Sequence, residues 1–478
     1  MGLMTRHFAV FTVVLLVFSA LAEGQQGSGN QAPGVQDAPG MPCMPGMRMP
    51  GCPETPAQQP GDQPAQHEGH AVMQMGVTGL MTMQPANFLQ KITSHTGSGT
   101  SAEPISTPAH MLMKMRGPWM LMFHANAFVL GQQQSSPRGG DKFFSANWLM
   151  PMAQRELGRG VFTVRAMLSF EPTTVTKRRY PLLFQEGETA FGKPVTDGQH
   201  PHDLFMELAA LYDLKLGEKS LLSFYLAPIG DPAIGPTAFP HRASAMENPL
   251  AALGHHQQDS THIAADVVTV GLTYDIVRVE ASGFHGREPN ENRWNIDQGK
   301  IDSWSTRVTI APERNWSGQF SYGRITSPEV LSASEDQERT TASVMYNRPL
   351  ASGNWTSTIL WGRTRSLPDD AVFNSYLLES TVRFRTHNYA WTRIENVDRS
   401  SELILGDNPP PTGFQERPIG RVQAYTLGYG RDVNFMPHLA TAIGAQVSIY
   451  GVSDTLRPIY GTRPAGIAIF VRLRPFSE

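Results

Sequence analysis

From Gly117 onward, apolar and polar residues alternate one by one in segment after segment, and that period confines the chain to β-strands whose two faces meet different surroundings. Between 119 and 130 one face carries Trp119, Leu121, Phe123, Ala125, Ala127 and Val129, and the other Met120, Met122, His124 and Asn126. Phe162, Val164, Ala166, Leu168 and Phe170 alternate in the same way with Thr163, Arg165, Met167 and Ser169. Trp304, Thr306, Val308 and Ile310 alternate with Ser303, Ser305, Arg307 and Thr309, and Tyr376, Leu378, Val382 and Phe384 with Glu379, Thr381, Arg383 and Arg385.

The connections between these segments alternate too. Short ones fall near 155–160, 214–219, 275–276, 312–315, 348–353, 385–387 and 432–438. Longer, turn-rich ones fall at 131–142, 171–203, 228–265, 287–302, 327–338, 366–373, 398–418 and 451–463. Strict alternation puts the short turns at one end of an antiparallel sheet and the long loops at the other. The pattern predicts an all-β fold, an antiparallel transmembrane β-barrel of about 16 strands over 117–478, with the loop asymmetry of a bacterial outer-membrane barrel. Segments of roughly 9 to 12 residues suit tilted strands that cross a bilayer.

Closure in lipid sends the charged face inward. Arg165, Arg278, Glu280, Arg307, Glu379, Arg383, Arg393 and Glu395 are therefore expected to line a wet pore. With a strand number near 16 the lumen admits water unless 171–203 or 228–265 obstructs it. The alternative is a secreted, soluble all-β protein, binding or enzymatic, with a metal site in histidine-rich loops.

Ahead of the alternating region the chain changes character. Arg6 precedes an apolar run from Phe8 to Leu21 that ends on Ala20-Leu21-Ala22. Residues 1–22 thus read as a Sec signal peptide, since the run is shorter than the ~20 residues that span a bilayer. Residues 23–116, rich in Pro, Gly, Gln, Ser and Met, are expected to form a disordered periplasmic tail. Of 22 methionines, 17 stand at or before position 152, which marks the tail and first strands as a soft-donor region.

Met41, Cys43, Met44, Met47, Met49 and Cys52 crowd together, with His67 and His70 following, then Met73/Met75, Met81/Met83 and the row Met111, Met113, Met115. Thioether and thiolate sulfur prefer Cu(I) or Ag(I) to hard cations, so a copper ion is the metal such a tail would take. A disulfide between Cys43 and Cys52 is the bland reading of the two cysteines. The methionine row leads into Met120, Met122 and His124, which would extend a ladder of soft donors into the lumen. Gap-filling by adaptable methionines is the competing explanation.

A second candidate metal set is histidine: His200, His202, His255 and His256, in the two longest loops, with Asp203 and Asp259 as ligands or orienters. Hydrogen-bonded loop histidines that stabilise an ordered cap are the alternative. No nucleophile, phosphate-binding or zinc-hydrolase motif is present, so no catalytic residue is assigned. A formal charge of -3, from 39 Lys+Arg against 42 Asp+Glu, lacks the basic excess of a nucleic-acid partner.

On Pro137-Arg138-Gly139-Gly140-Asp141-Lys142, Asp197-Gly198-Gln199-His200-Pro201-His202-Asp203, Gly254-His255-His256 and Trp294-Asn295-Ile296-Asp297-Gln298-Gly299-Lys300, the chain resembles an uncharacterised Gram-negative family of predicted outer-membrane β-barrel proteins. A Met-rich leader ahead of a barrel is similar, more distantly, to outer-membrane copper-resistance proteins. The resemblance implies the outer membrane as location and its lipid as partner. It implies nothing about oligomeric state.

Overall fold

The computed structural model describes residues 72–75, 81–259, 263–329, 335–367, 369–411, 414–435 and 439–475. Sixteen long antiparallel strands close on themselves. In chain order they are β1 Trp119–Ser135, β2 Asp141–Leu157, β3 Gly160–Leu168, β4 Phe205–Gly217, β5 Ser220–Gly230, β6 Ala264–Tyr274, β7 Val277–His285 and β8 Ser303–Glu313. They continue as β9 Trp316–Ile325, β10 Asp336–Leu350, β11 Gly353–Leu367, β12 Val372–Phe384, β13 Asn388–Ser400, β14 Pro418–Asp432, β15 Leu439–Val452 and β16 Ala465–Pro475. The expected strand number and the alternation of short turns with long loops are both observed.

Closure joins β16 to β1, from Ala465 opposite Ser135 to Leu473 opposite Ala127. Below the end of β16, the same edge of β1 pairs with a short strand, Leu112–Arg116, through a tight turn at Gly117 in the left-handed region (φ 60°). The tightest turns sit at the short-turn end, as at Asp275 (φ 54°) between β6 and β7.

Every second residue points outward and most of those are apolar. Leu226, Val270, Val308, Phe320, Ile359, Leu427 and Ile469 all stand exposed. Aromatic side chains flank this band. Tyr346 contacts both Trp316 and Trp355 at the short-turn end, and Trp304 contacts Tyr322 at the long-loop end. On β9 the two girdles are six residues apart, ~20 Å along the strand at ~3.4 Å per residue. Beyond the upper girdle the outward positions turn charged, with Arg365 bridging Glu338 and Asp370.

The interior is filled by the two loops expected as candidate obstructions. Loop 231–263 turns into the barrel, and nearly all its described residues are buried. Loop 169–204 packs over it, and Leu182, Leu183, Phe184, Leu250 and Leu253 form an apolar core with wall residues such as Phe128, Trp391 and Phe470. These loop residues follow neither a 2 nor a 3.6 period, so length marks the loops as obstructions while the residues that pack are not legible in the letters.

The packed structure also starts before residue 117. Residues 84–116 fall in the stretch expected to be an unstructured tail, yet Phe88–Thr93 is a helix capped by the Asn87 side chain, which accepts from the Gln90 N–H. Phe88, Ile92, Ala102 and Ile105 pack on Leu221 and Ala311 of the wall. The segment is too short to bury a core of its own and orders because the barrel supplies the other half. Further upstream, Val72–Met75 pairs with Met81–Gln84, setting Met73 opposite Met83 and Met75 opposite Met81.

Candidate functional site in the barrel lumen

The inward rows of β3, β4, β7, β8, β12 and β13 carry charge, and the buried segments meet that charge. Arg165, Arg278, Glu280, Arg307, Glu379, Arg393 and Glu395 all lie on the inner face and are buried. Arg383 sits at the short-turn mouth, beside a cavity of about 280 Å³ that also involves His110, His387, Arg472 and Arg474. Two internal segments fill the space between these side chains.

The first is 84–111. Arg165 forks onto Glu207, with Nε to Oε2 at 2.6 Å and Nη2 to Oε1 at 2.7 Å, and donates to the carbonyls of His95, Gly97 and Gly99. His95 Nε2 lies 2.6 Å from Asp213 Oδ2 on β4, and Ser106 exchanges hydrogen bonds with Asn347 on β10. Arg307, held by Glu280, donates to Thr100. A planar guanidinium with several donors in fixed directions suits this task better than an ammonium.

The second is 231–263, which touches the wall on all sides. Its backbone N–H groups at Ala233 and Gly235 donate to Ser282 on β7 and Ser321 on β9. Arg242 pairs with Glu379 on β12 (2.9 Å) and with Asp259 of its own loop (3.1 Å). Glu247 accepts from Arg472 and Arg474 on β16, and the Leu253 N–H donates to Glu395 on β13. Ser98 and Asp231 join the two segments, Oγ to Oδ2 at 2.7 Å. Arg242, Glu247, Arg472, Arg474, Glu207 and Asp213 were not singled out from the sequence, because their importance lies in pairings between distant segments, and Asp259, expected beside the loop histidines, pairs with Arg242 instead.

The loop histidines converge. His200, His202, His255 and His256 border one cavity of about 40 Å³ with Asp203 and Glu288. Their rings contact protein: His200 Nδ1 lies 2.8 Å from the Pro201 carbonyl, His202 Nδ1 3.0 Å from Glu171, and His255 Nε2 3.1 Å from Gln199. Burial alone would raise the Glu171 carboxyl, but His202 beside it holds it below the usual range, and the same partnership raises the His202 imidazole against the effect of burial. Among the described residues, no three His, Cys, Asp or Glu side chains are grouped so as to hold a metal ion.

Met41, Cys43, Met44, Met47, Met49, Cys52, His67 and His70 lie outside the described residues, as does the leader 1–22. Met120, Met122 and His124 are buried on the inner face of β1. Met120 and Met122 belong to a cluster of eight methionines, Met111, Met113, Met120, Met122, Met150, Met152, Met167 and Met206, around Trp148, against which the His124 ring packs. The register sets His124 opposite Met150 and Met122 opposite both Met152 and Met113. His241 reaches down from the internal loop, with Nε2 3.1 Å from Met167 Sδ.

No protein-family profile and no curated protein matches the chain. Among solved structures it is similar to an anion-selective porin from Comamonas acidovorans, at 10% identity and a TM-score of 0.43, over 74% of this chain and 99% of that one. It is similar also to the outer-membrane protein OmpT of Vibrio cholerae (6% identity, TM-score 0.42, 76% and 99% covered). The outer-membrane channel DcaP of Acinetobacter baumannii gives the same four values.

Proposed function

We propose that this chain is a porin-like barrel of the Gram-negative outer membrane whose passage is closed by its own segments, and that it handles soft metal ions, copper in the first place. The observation that carries the membrane half is the outward apolar band between two aromatic girdles. An apolar belt running round a whole barrel is not a surface that a soluble protein leaves in water. The secreted, soluble alternative would have to cover that belt. The closed passage rests on 231–263, tied to the wall by arginine–carboxylate pairs, and on 84–111, whose backbone carbonyls accept from Arg165 of the wall.

The metal half rests on the methionine-rich tail and on its continuity with Met111, Met113, Met120 and Met122 inside the barrel. Fractionation and heat-modifiable migration test the location: the protein should partition with the outer membrane and run faster unheated than boiled. A soluble periplasmic pool of folded protein would overturn it. In planar bilayers the full chain should conduct poorly, and shortening 231–263 should raise conductance severalfold. An anaerobic Cu(I) titration of the full chain against a variant lacking 41–83 tests the tail, which should account for the loss of several equivalents.

A further inference from the structure

The eight clustered methionines are more than a packing device, because a histidine is buried among them with no bond from its ring to any described residue. His124 is 6% exposed, and among the described residues neither ring nitrogen has a hydrogen-bond partner. Buried polar atoms in folded proteins nearly always have one, and an orphan calls for a cause such as a bound ion. An apolar filler would be cheaper at this position if space alone had to be occupied.

The donors around it are soft. Met150 is its cross-strand partner, and Met122 with Met152 forms the next row on the same face. Side chains directly opposite on antiparallel strands have Cβ atoms about 4.5–5.5 Å apart, so two thioethers and the imidazole can turn toward one point. From the other side comes His241, its ring centre 5.7 Å from that of His124 and its Nε2 against Met167 Sδ. Two imidazoles at that separation can share one ion at metal–nitrogen distances of about 2 Å. Trp148 packs on both rings, at 4.7 and 4.3 Å, and shields the point from water.

We infer that the wall of β1–β3 holds a binding site for a soft monovalent cation, Cu(I) or Ag(I), formed by His124, Met150, Met167 and His241, with Met122 and Met152 as the adjoining pair. The donor set selects the ion. Neutral thioethers and imidazoles bring no negative charge, so a divalent hard cation gains too little to leave water, whereas a polarisable d10 cation is served by low coordination to sulfur and nitrogen. The short-turn mouth is the near side: His110 borders the cavities of about 450 and 280 Å³ there, and its neighbour Met111 belongs to the buried cluster. The site deepens the soft-metal half of the proposed function and rests on it, but requires no residue of the distal tail.

The test uses the full chain in detergent under anaerobic conditions, titrated with Ag(I) by calorimetry and with Cu(I) against a chromophoric chelator. A tail variant in which Met41, Met44, Met47 and Met49 become Leu and Cys43 and Cys52 become Ser should keep one tight equivalent. Adding His124→Phe or Met150→Leu should weaken that equivalent at least 100-fold while heat-modifiable migration stays that of the folded barrel. X-ray absorption of the Cu(I)-loaded tail variant should show mixed nitrogen and sulfur ligation, with the nitrogen share reduced by His124→Phe. If the tail variant binds nothing, or the wall substitutions leave its equivalent intact, the inference fails and the tail reading survives. If wild type and tail variant bind one equivalent alike, the tail reading fails and the wall site stands. Absence of binding in wild type overturns both.

Discussion

Arg242 Nε donates to Glu379 Oε2 at 2.9 Å, joining the internal loop to a wall strand 137 residues further along the chain. Glu379 also accepts from Arg393 on the neighbouring strand β13, and Arg242 also donates to Asp259, so two arginines and two carboxylates share one buried network. Removing Arg242 takes one guanidinium from two buried carboxylates at once. Arg242→Met should therefore cost about 3–5 kcal/mol of stability. Because the loss falls on the loop anchor, it should also free 231–263 from the β12 side. Single-channel recording should show longer and larger openings than wild type. Unchanged conductance with lowered stability would assign Arg242 to holding the barrel together and not to closing it.

The strand number, the faces and the ends of the barrel were legible because an apolar outward face and a polar inward one impose a strict period of 2 that survives in the letters. Arg165, Glu280 and Glu379 could be placed on the inner face from that period alone. What Arg165 touches could not, since the carbonyls of His95, Gly97 and Gly99 belong to a segment whose Ser, Gly and Thr composition reads as disordered. The same holds for Leu182, Leu253 and Arg242, whose loops have no period and are ordered only by what they fill. Met120, Met122 and His124 stood out by spacing. Met150 and Met152 share that spacing on β2, but their place beside His124 depends on register, which a first reading of the strands does not supply.

Ile359 stands near the middle of the outward face of β11 and is 63% exposed. If that face meets hydrocarbon, Ile359→Arg should destabilise insertion by about 2–4 kcal/mol, and the cost should shrink to about 0–1 kcal/mol for an arginine placed toward the loops. Arg363, one turn of the pleat beyond Trp361 on the same outward row, is already such a residue. Folding into lipid vesicles at graded urea, read by heat-modifiable migration, measures the difference. Equal tolerance of arginine at 359 and 363 would argue against a membrane around this belt.

The loop that follows β13 carries a carboxyl held neutral. Burial first, and then the nearby charges of Glu329 and Glu186, push Glu402 up to about 8, while Glu416 is raised by burial and the same crowding and Glu329 chiefly by burial. A raised carboxyl contributes stability that is complete below its unfolded value and is lost as pH rises through the folded one. Anchoring of 401–417 should thus weaken between about pH 4.5 and pH 8, with the Gly187 N–H to Glu402 bond loosening as repulsion grows. Hydrogen exchange of 401–417 should accelerate over that window in wild type. In Glu402→Gln, which cannot ionise, much of that acceleration should vanish.

The N-terminal segment should be releasable by itself. Arg165 serves Glu207 and three carbonyls at once, and a lysine in its place has one nitrogen and cannot reach in all those directions. Arg165→Lys keeps the charge opposite Glu207 but strands buried carbonyls of 95–99, a loss of about 1–3 kcal/mol. Gly99 offers an independent route: it sits in the left-handed region (φ 60°), and a Cβ there would come within 2.5 Å of Asp231 Cβ. Gly99→Val should therefore push 84–111 away from the point where it meets the internal loop. Both variants should keep the sixteen-strand barrel, whose outward belt and ladder they do not touch, while protease added from the short-turn side cuts near 95–107 several times faster than in wild type. A conductance gain that appears with Arg165→Lys and Gly99→Val but needs no change in 231–263 would make this segment an independent closure of the lumen. Cleavage at wild-type rate in both would show that its hold comes from the helix Phe88–Thr93 packed on Leu221 and Ala311 instead.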